Sequence, residues 1–351
     1  MASPSSASSP DGDGIGRADR TTDTERAVHG TESAAELRDF LSAYAREHLG
    51  SPIRKVQFRA GRIDAVWGVE LDDGRAVVIK GHRPPADADA TANDAIVAAR
   101  DAQRFLAAAG FPCPEPLSGP DEVDGRVLTA ETLLAGEVPD GRDPATRRLL
   151  AEGLARHIGV LGARSDLLHR VGPGPSWCQY QGGPWPVPHD PIVNFDVTPV
   201  GYDWLDAYAR QVCDQLLTCR DGADVVVGHA DWYAGNTAVR DGVLVGTFDW
   251  ELVADTEAVV AGFAAACYAA SSTSGGGLSS PGEAATFLHD YEIARGTGFV
   301  ERERRTASAA TAWIIAFNAR WEAAMLGITG GEGPNLSLAR EHGPDYLDLT
   351  W

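Results

Sequence analysis

Residues 228–236 read GHADWYAGN, directly after the apolar run of Val225, Val226 and Val227. A buried strand that runs straight into His229, Asp231 and Asn236 carries three polar groups into a core, where each must have a partner or a use. A second apolar run, GVLVGTFDWE at 242–251, follows and ends on Asp249. An acid and an amide five residues apart, with a second acid eighteen residues after the first, make a set of hard oxygen donors. Mg²⁺ is commonly held by one or two protein oxygens, with water and substrate phosphates supplying the rest. Asn236 and Asp249 therefore suffice as metal ligands, and Asp231 is left to act on a nucleophile. The plain alternative is that these side chains close a turn, as Asp and Asn often do. For one such residue that reading is preferred; for His229, Asp231, Asn236 and Asp249 together it is not.

The rest of the chain bounds the possibilities. With 351 residues, 44% apolar and 23% charged, there is material for two lobes around a sizeable core. No stretch approaches the roughly 20 uncharged apolar residues of a membrane helix, and the first thirty residues hold no apolar signal-peptide core, so a cytoplasmic location is expected. The five cysteines are scattered without a C-x-x-C pair, which predicts reduced, mostly buried thiols rather than disulfides or a zinc site. A formal charge of −20 opposes nucleic acid or an anionic membrane as partner and leaves cationic ligands open.

Residues 1–31 are rich in Ser, Asp, Gly and Thr and are predicted to be a disordered tail. Ser33 and Glu36 form a candidate capping box for an amphipathic helix with Leu37, Phe40, Leu41 and Tyr44 on one face. Residues 54–80 then change to the period of strands, with Asp73 and Gly74 as a hairpin turn, and predict three antiparallel strands. An Ala-rich helix closed by Gly110 and a strand at 126–134 complete a small sheet. Beyond it the pattern is helical near 144–163, 203–219, 257–270, 283–294 and 302–326. The Pro- and Gly-rich stretch between the first two of these is predicted to be irregular, and loops of that length are usually functional.

The spacing His229-x-Asp231-x-x-x-x-Asn236 is that of the kinase catalytic loop, where the Asp accepts the substrate hydroxyl proton and the Asn binds Mg²⁺. Asp249 takes the place of the acid in D-F-G, but Trp250 and Glu251 follow it. The pair HADWYAGN and GTFDWE resembles the aminoglycoside phosphotransferase and choline kinase-like family of small-molecule kinases, over roughly residues 33–351. That resemblance implies an α+β, two-lobed protein-kinase-like fold: a small antiparallel-sheet N-lobe at 32–135 and a larger, mainly helical catalytic and substrate-binding C-lobe at 136–351. It implies ATP or GTP as co-substrate with Mg²⁺, Lys80 on the nucleotide phosphates, and backbone groups near Glu131 and Leu133 at the nucleotide base. His229 is assigned to structuring the loop by hydrogen bonds. Two departures stand out: Ala99 occupies the helix position where the family carries a Glu for its lysine, and the phosphate-covering segment RAGRIDAVWG has one early glycine, Gly61.

The expected function is transfer of the γ-phosphoryl group to a hydroxyl of a small molecule, an aminoglycoside-like or nucleoside-like natural product, as in antibiotic modification or resistance. Glu251, Asp255 and Glu257 are candidate contacts for a cationic acceptor, and Trp177, Tyr180, Trp185 and Phe195 candidate flat surfaces. The alternatives are a nucleotide-binding pseudokinase with a regulatory role, a kinase of an amino alcohol or sugar in primary metabolism, and a metal-dependent hydrolase.

Overall fold

The computed structural model describes residues 20–84, 91–172, 174–190, 192–271 and 277–351, the side chains of 91–93 excepted. These fall into two units, 20–107 with 113–135 and 108–112 with 136–351.

The first unit contains α1 (Asp23–His29), α2 (Ala34–His48), β1 (Ile53–Ala60), β2 (Ala65–Leu71), β3 (Ala76–His82), α3 (Thr91–Ala108), β4 (Pro116–Val123) and β5 (Arg126–Thr132). The strands form one antiparallel sheet in the order β1-β2-β3-β5-β4. Alternation along β3 sets the layers: Val77 and Ile79 are buried in one cluster with Leu37 and Leu41 of α2 and Val69 and Leu71 of β2. Val78, Lys80 and His82 therefore stand on the other face. The strand β4, PLSGPDEV, was not expected from its composition. It lies at the sheet edge with two register shifts, the setting in which a strand tolerates Pro and Gly.

Residues 20–31 correct the expectation of a disordered tail. Thr22 and Glu25 cap α1 reciprocally. The Glu25 carboxylate is buried, accepts the Trp67 indole N–H at 2.8 Å and pairs with Arg59, while Val28 joins the core. One buried carboxylate with three partners, rather than an apolar stripe, holds this helix, so composition hides it. Residues 1–19 of the predicted tail lie outside the described residues. Ser33 caps α2 by accepting the Glu36 N–H at 3.2 Å, but the Glu36 carboxylate accepts the Thr31 hydroxyl, so the capping box is only half made.

The second unit contains α4 (Pro144–Leu161), α5 (Leu168–Val171), α6 (Asp203–Arg220), β6 (Val225–His229), β7 (Thr237–Arg240), β8 (Val243–Thr247), β9 (Leu252–Thr256), α7 (Glu257–Cys267), α8 (Pro281–Arg295), α9 (Glu301–Thr329) and α10 (Pro334–Leu347). The five predicted helices are present. The helix α10, with Gly343 and Pro344 inside it, was not read from the sequence. Helix α9 is buried all round from Thr306 to Trp321 and packs against α6, α7 and α10. Gly262 permits its approach to α7, because a Cβ there would lie 2.4 Å from the Ala307 carbonyl oxygen, and Thr311 donates to the Gly262 carbonyl at 3.1 Å.

The described residues between α5 and α6 are irregular apart from one 3₁₀ turn at Ser176–Cys178, as the prolines and glycines imply, yet they are anchored at several points. Trp185 donates to Asp206 at 2.6 Å, and Arg320 of α9, fully buried, donates to the carbonyls of Phe195 and Val197, each at 3.0 Å. All five cysteines are free and buried. Among the described residues no helix is long and apolar enough to cross a membrane.

Candidate active site

Strands β6 and β9 form an antiparallel ribbon in which His229 faces Leu252 and Val225 faces Thr256. Gly228 lets this ribbon sit against α7, since a Cβ there would lie 2.4 Å from Val260 Cγ1. At the His229 end the chain leaves β6 and turns through residues 230–236. The turn is pinned by backbone bonds: Ala230 N–H to Glu251 C=O at 2.8 Å, Ala234 N–H to Tyr268 C=O at 2.9 Å, and Gly235 N–H to Ala270 C=O at 3.0 Å. Trp232 is buried and donates to the Leu150 carbonyl at 3.0 Å, and Trp177 donates to the Ala230 carbonyl at 3.3 Å. A loop so tied presents its side chains in a fixed geometry.

Asp231 is 6% exposed. Asn236 donates its side-chain amide to the Asp231 carboxylate at 2.9 Å and to the Asp231 carbonyl at 3.1 Å. His229 binds both sides of the site: Nδ1 accepts the Asp231 N–H at 3.1 Å, and Nε2 faces the Phe248 carbonyl at 3.1 Å. A carbonyl only accepts, so the proton is on Nε2 and Nδ1 is the acceptor. Burial lowers the His229 pKa despite Asp231 and the Phe248 bond, which agrees with a neutral ring committed at both nitrogens. Its two bonds tie the loop at Asp231 to the strand end at Phe248. His157 of α4, fully buried, packs on His229, Trp232 and Trp250, and burial holds its pKa far below the usual value. The sequence reading missed this aromatic layer; the tryptophans following both acids, in DWY and FDW, are its only trace.

Phe248 N–H donates to the Asn236 carbonyl at 2.8 Å, which brings the strand end carrying Asp249 to the loop. Asp249 is exposed and lies in the left-handed region, φ 55°, which Asp tolerates better than most residues. With its N–H₂ turned to Asp231, Asn236 keeps its amide oxygen as an acceptor. That oxygen and the Asp249 carboxylate are the hard donors suited to a divalent cation completed by phosphate and water. Among the described residues no group of three His, Cys, Asp or Glu could hold a metal ion by itself.

Of the three acids expected at the acceptor, Glu251 alone adjoins the loop, through its carbonyl bond to Ala230. Asp255 and Glu257 have partners of their own. Strand β9 runs away from Asp231, so Asp255, three residues beyond the Leu252 partner of His229, lies about 10 Å along the ribbon. Asp255 is 2% exposed, accepts the Tyr180 hydroxyl at 2.7 Å and pairs with Arg220 at 3.2 Å; burial raises its pKa in spite of these partners. Glu257 accepts the Tyr291 hydroxyl at 2.7 Å and pairs with Arg295 at 3.0 Å. It borders a cleft of about 410 Å³ shared with Glu152, Arg156 and Arg295.

The aromatic candidates also pack against neighbouring side chains. Tyr180, Trp177 and Phe195 are buried, and Trp185 stacks on Trp313. They fasten the irregular stretch to α9 and to the β6–β9 ribbon, with Trp185 partly exposed.

In the sheet unit, Lys80 of β3 pairs with Asp64, its Nζ 3.1 Å from Oδ2. The Glu131 side chain is taken by Arg100 at 2.8 Å and Gln103 at 2.9 Å, both from α3. The Leu133 N–H donates to the Ala76 carbonyl at 3.0 Å, so Leu133 has only its carbonyl to offer a nucleotide base. Asp64 was not foreseen. The readable signal was its position in the β1–β2 turn, two residues before the register partner of Lys80.

No family model and no curated relative matches this chain. Solved structures do. A structure of an amicoumacin kinase in complex with AMP-PNP, Ca²⁺ and Ami has 12% identity and a TM-score of 0.58 over 90% of this chain and 96% of that one. An aminoglycoside phosphotransferase of the (4)-Ia type has 14% identity and a TM-score of 0.55, covering 91% of this chain and all of that one. A macrolide 2'-phosphotransferase from Brachybacterium faecium has 15% identity and a TM-score of 0.50 over 90% and 99%. These likenesses establish the fold: the chain has the α+β architecture of these small-molecule phosphotransferases, with a small antiparallel sheet and a mainly helical remainder.

Proposed function

We propose that the chain is a small-molecule O-phosphotransferase, moving the γ-phosphoryl group of ATP or GTP to a hydroxyl of an aminoglycoside-like or nucleoside-like natural product. The observation that carries this reading is the Asp231 carboxylate, nearly buried on a pinned loop and held by Asn236, with Asp249 brought to the same loop by the Phe248–Asn236 bond. In phosphoryl transfer through a loose transition state the protein chiefly positions groups and neutralises charge. Asp231 is the group that orients the acceptor hydroxyl and receives its proton. Its fixed carboxylate leaves little rotamer freedom to lose when the acceptor arrives. His229 holds the loop in register, and Lys80, paired with Asp64, is a cation for the nucleotide phosphates.

Asn236 and Asp249 would hold Mg²⁺, whose contribution when bound is neutralisation of charge on the phosphate oxygens. The similar solved structure that carries AMP-PNP with Ca²⁺ supports a nucleotide co-substrate. Glu251 is the one predicted acceptor acid beside the loop, and with Asp231 and Asp249 it makes a locally acidic site, which favours an acceptor bearing an amine.

The reading is tested by incubating the protein with Mg²⁺, ATP or GTP, and panels of aminoglycosides, nucleosides, sugars and amino alcohols, with mass spectrometry for gain of one phosphoryl group. Transfer to an amine-bearing natural product is the expected result. Transfer only to a sugar or simple amino alcohol would move the role to primary metabolism, and nucleotide binding with no transfer to any acceptor would make the chain a regulator.

A further inference from the structure

The thirty Lys and Arg side chains of this protein include only two lysines, Lys55 and Lys80. The second stands on the face of β3 opposite the α2 core and meets Asp64 at 3.1 Å, each side chain 21% exposed. Register explains the meeting. Val66 faces Lys80 across β2 and β3, and Asp64 lies two positions before Val66, on the same side of the sheet. Asp64 is itself fixed: Oδ1 accepts the Arg83 N–H at 2.8 Å, and Oδ2 lies 3.4 Å from His82 Nδ1. The Arg83 guanidinium in turn donates to the Ile63 carbonyl at 3.1 Å. Gly61 closes this turn at φ 103°, and a Cβ there would fall 2.0 Å from the Asp64 carbonyl oxygen. The single early glycine of the segment thus serves the turn that delivers Asp64.

Two polar side chains of helix α3 are committed to β4 and β5. Arg100 is 5% exposed and donates to Glu131 at 2.8 Å and to the carbonyl of Ser118 at 3.0 Å, and Gln103 also donates to Glu131. Ala99 has no polar group to offer. We infer that Asp64 is a positioning residue for Lys80, holding its ammonium from the β1–β2 turn in the orientation in which it receives nucleotide phosphates. The inference rests on the phosphotransferase reading. Burial alone would raise the Asp64 pKa, but Lys80, His82 and the Arg83 N–H reverse that and keep the carboxylate charged.

Competitive acylation of the full-length protein tests this, with Lys80 read by mass spectrometry and the exposed Lys55 as internal reference. Removing the neighbouring carboxylate frees the amine, so Asp64→Asn should label Lys80 roughly 3- to 10-fold faster relative to Lys55. Mg·ATP or Mg·GTP should protect Lys80 in the wild type, and about tenfold more nucleotide should be needed in Asp64→Asn. Asp64→Glu, which keeps the charge, should stay near wild type in both readings. Unchanged labelling and unchanged protection in Asp64→Asn would overturn the inference while leaving the phosphotransferase reading standing. Failure of both nucleotides to protect Lys80 in the wild type would overturn that reading, and this inference with it.

Discussion

The Asn236 side chain donates to both the carboxylate and the carbonyl of Asp231, at 2.9 and 3.1 Å. One amide therefore fixes the acid's rotamer and the backbone that carries it. Asn236→Ala should release both, and it also removes a candidate ligand oxygen. Turnover is expected to fall by at least about 10²-fold, with the circular dichroism spectrum unchanged; turnover within a factor of three of wild type would contradict the assigned role.

Acid should weaken the fold through its buried histidines. Burial first, then Arg126, lowers the His29 pKa to about 4, against an ordinary value near 6.5. The unfolded chain then binds more protons than the folded one between those values, so stability is full above about pH 6.5 and is lost as pH falls toward 4. Burial pushes His157 and His229 in the same direction. Urea midpoints should drop between pH 7.5 and 4.5, and His29→Phe, whose ring replaces one packed on Trp67 and Phe40, should reduce that drop by an amount on the order of 2 kcal/mol. An equal drop in the variant would exclude His29 as a contributor.

Asp255→Ala should destabilise the protein by about 3 kcal/mol, because Arg220 and the Tyr180 hydroxyl lose a buried partner. Its KM for the acceptor should not change. A raised KM with unchanged stability would return Asp255 to the acceptor site and contradict its placement far along β9.

That residue also marks what the sequence could and could not convey. The polar set His229, Asp231, Asn236 and Asp249 was legible because two apolar runs end on it, and strand and helix periods gave the sheet and most helices. Direction was not legible: nothing in ELVADTE says that β9 leads away from Asp231, so acids close to the site in sequence are remote in space. The irregular stretch was readable as irregular, but its aromatic residues turn inward because α9 offers Trp313, Phe317 and Arg320 as partners, a tertiary fact. Helix α1 and strand β4 escaped because a buried carboxylate and an edge position, rather than apolar pattern, stabilise them.

The acidic site predicts acceptor preference. Glu251, Asp231 and Asp249 together should make an amine-bearing acceptor bind more tightly than its N-acetylated analogue, with affinity falling as salt rises. Competition assays at two ionic strengths measure both effects. Equal affinity for the two forms, or a preferred acceptor with net negative charge, would refute the amine preference.

The central claim is that Asp231 receives the acceptor's hydroxyl proton during phosphoryl transfer. Its most direct measurement is the single-turnover rate of γ-phosphoryl transfer in wild type and Asp231→Asn, with nucleotide and acceptor both saturating. A positioned general base contributes about 10²–10⁴ in rate, so the variant should slow by that factor while nucleotide affinity and folding are retained. Transfer at the wild-type rate by a folded Asp231→Asn protein would contradict the account.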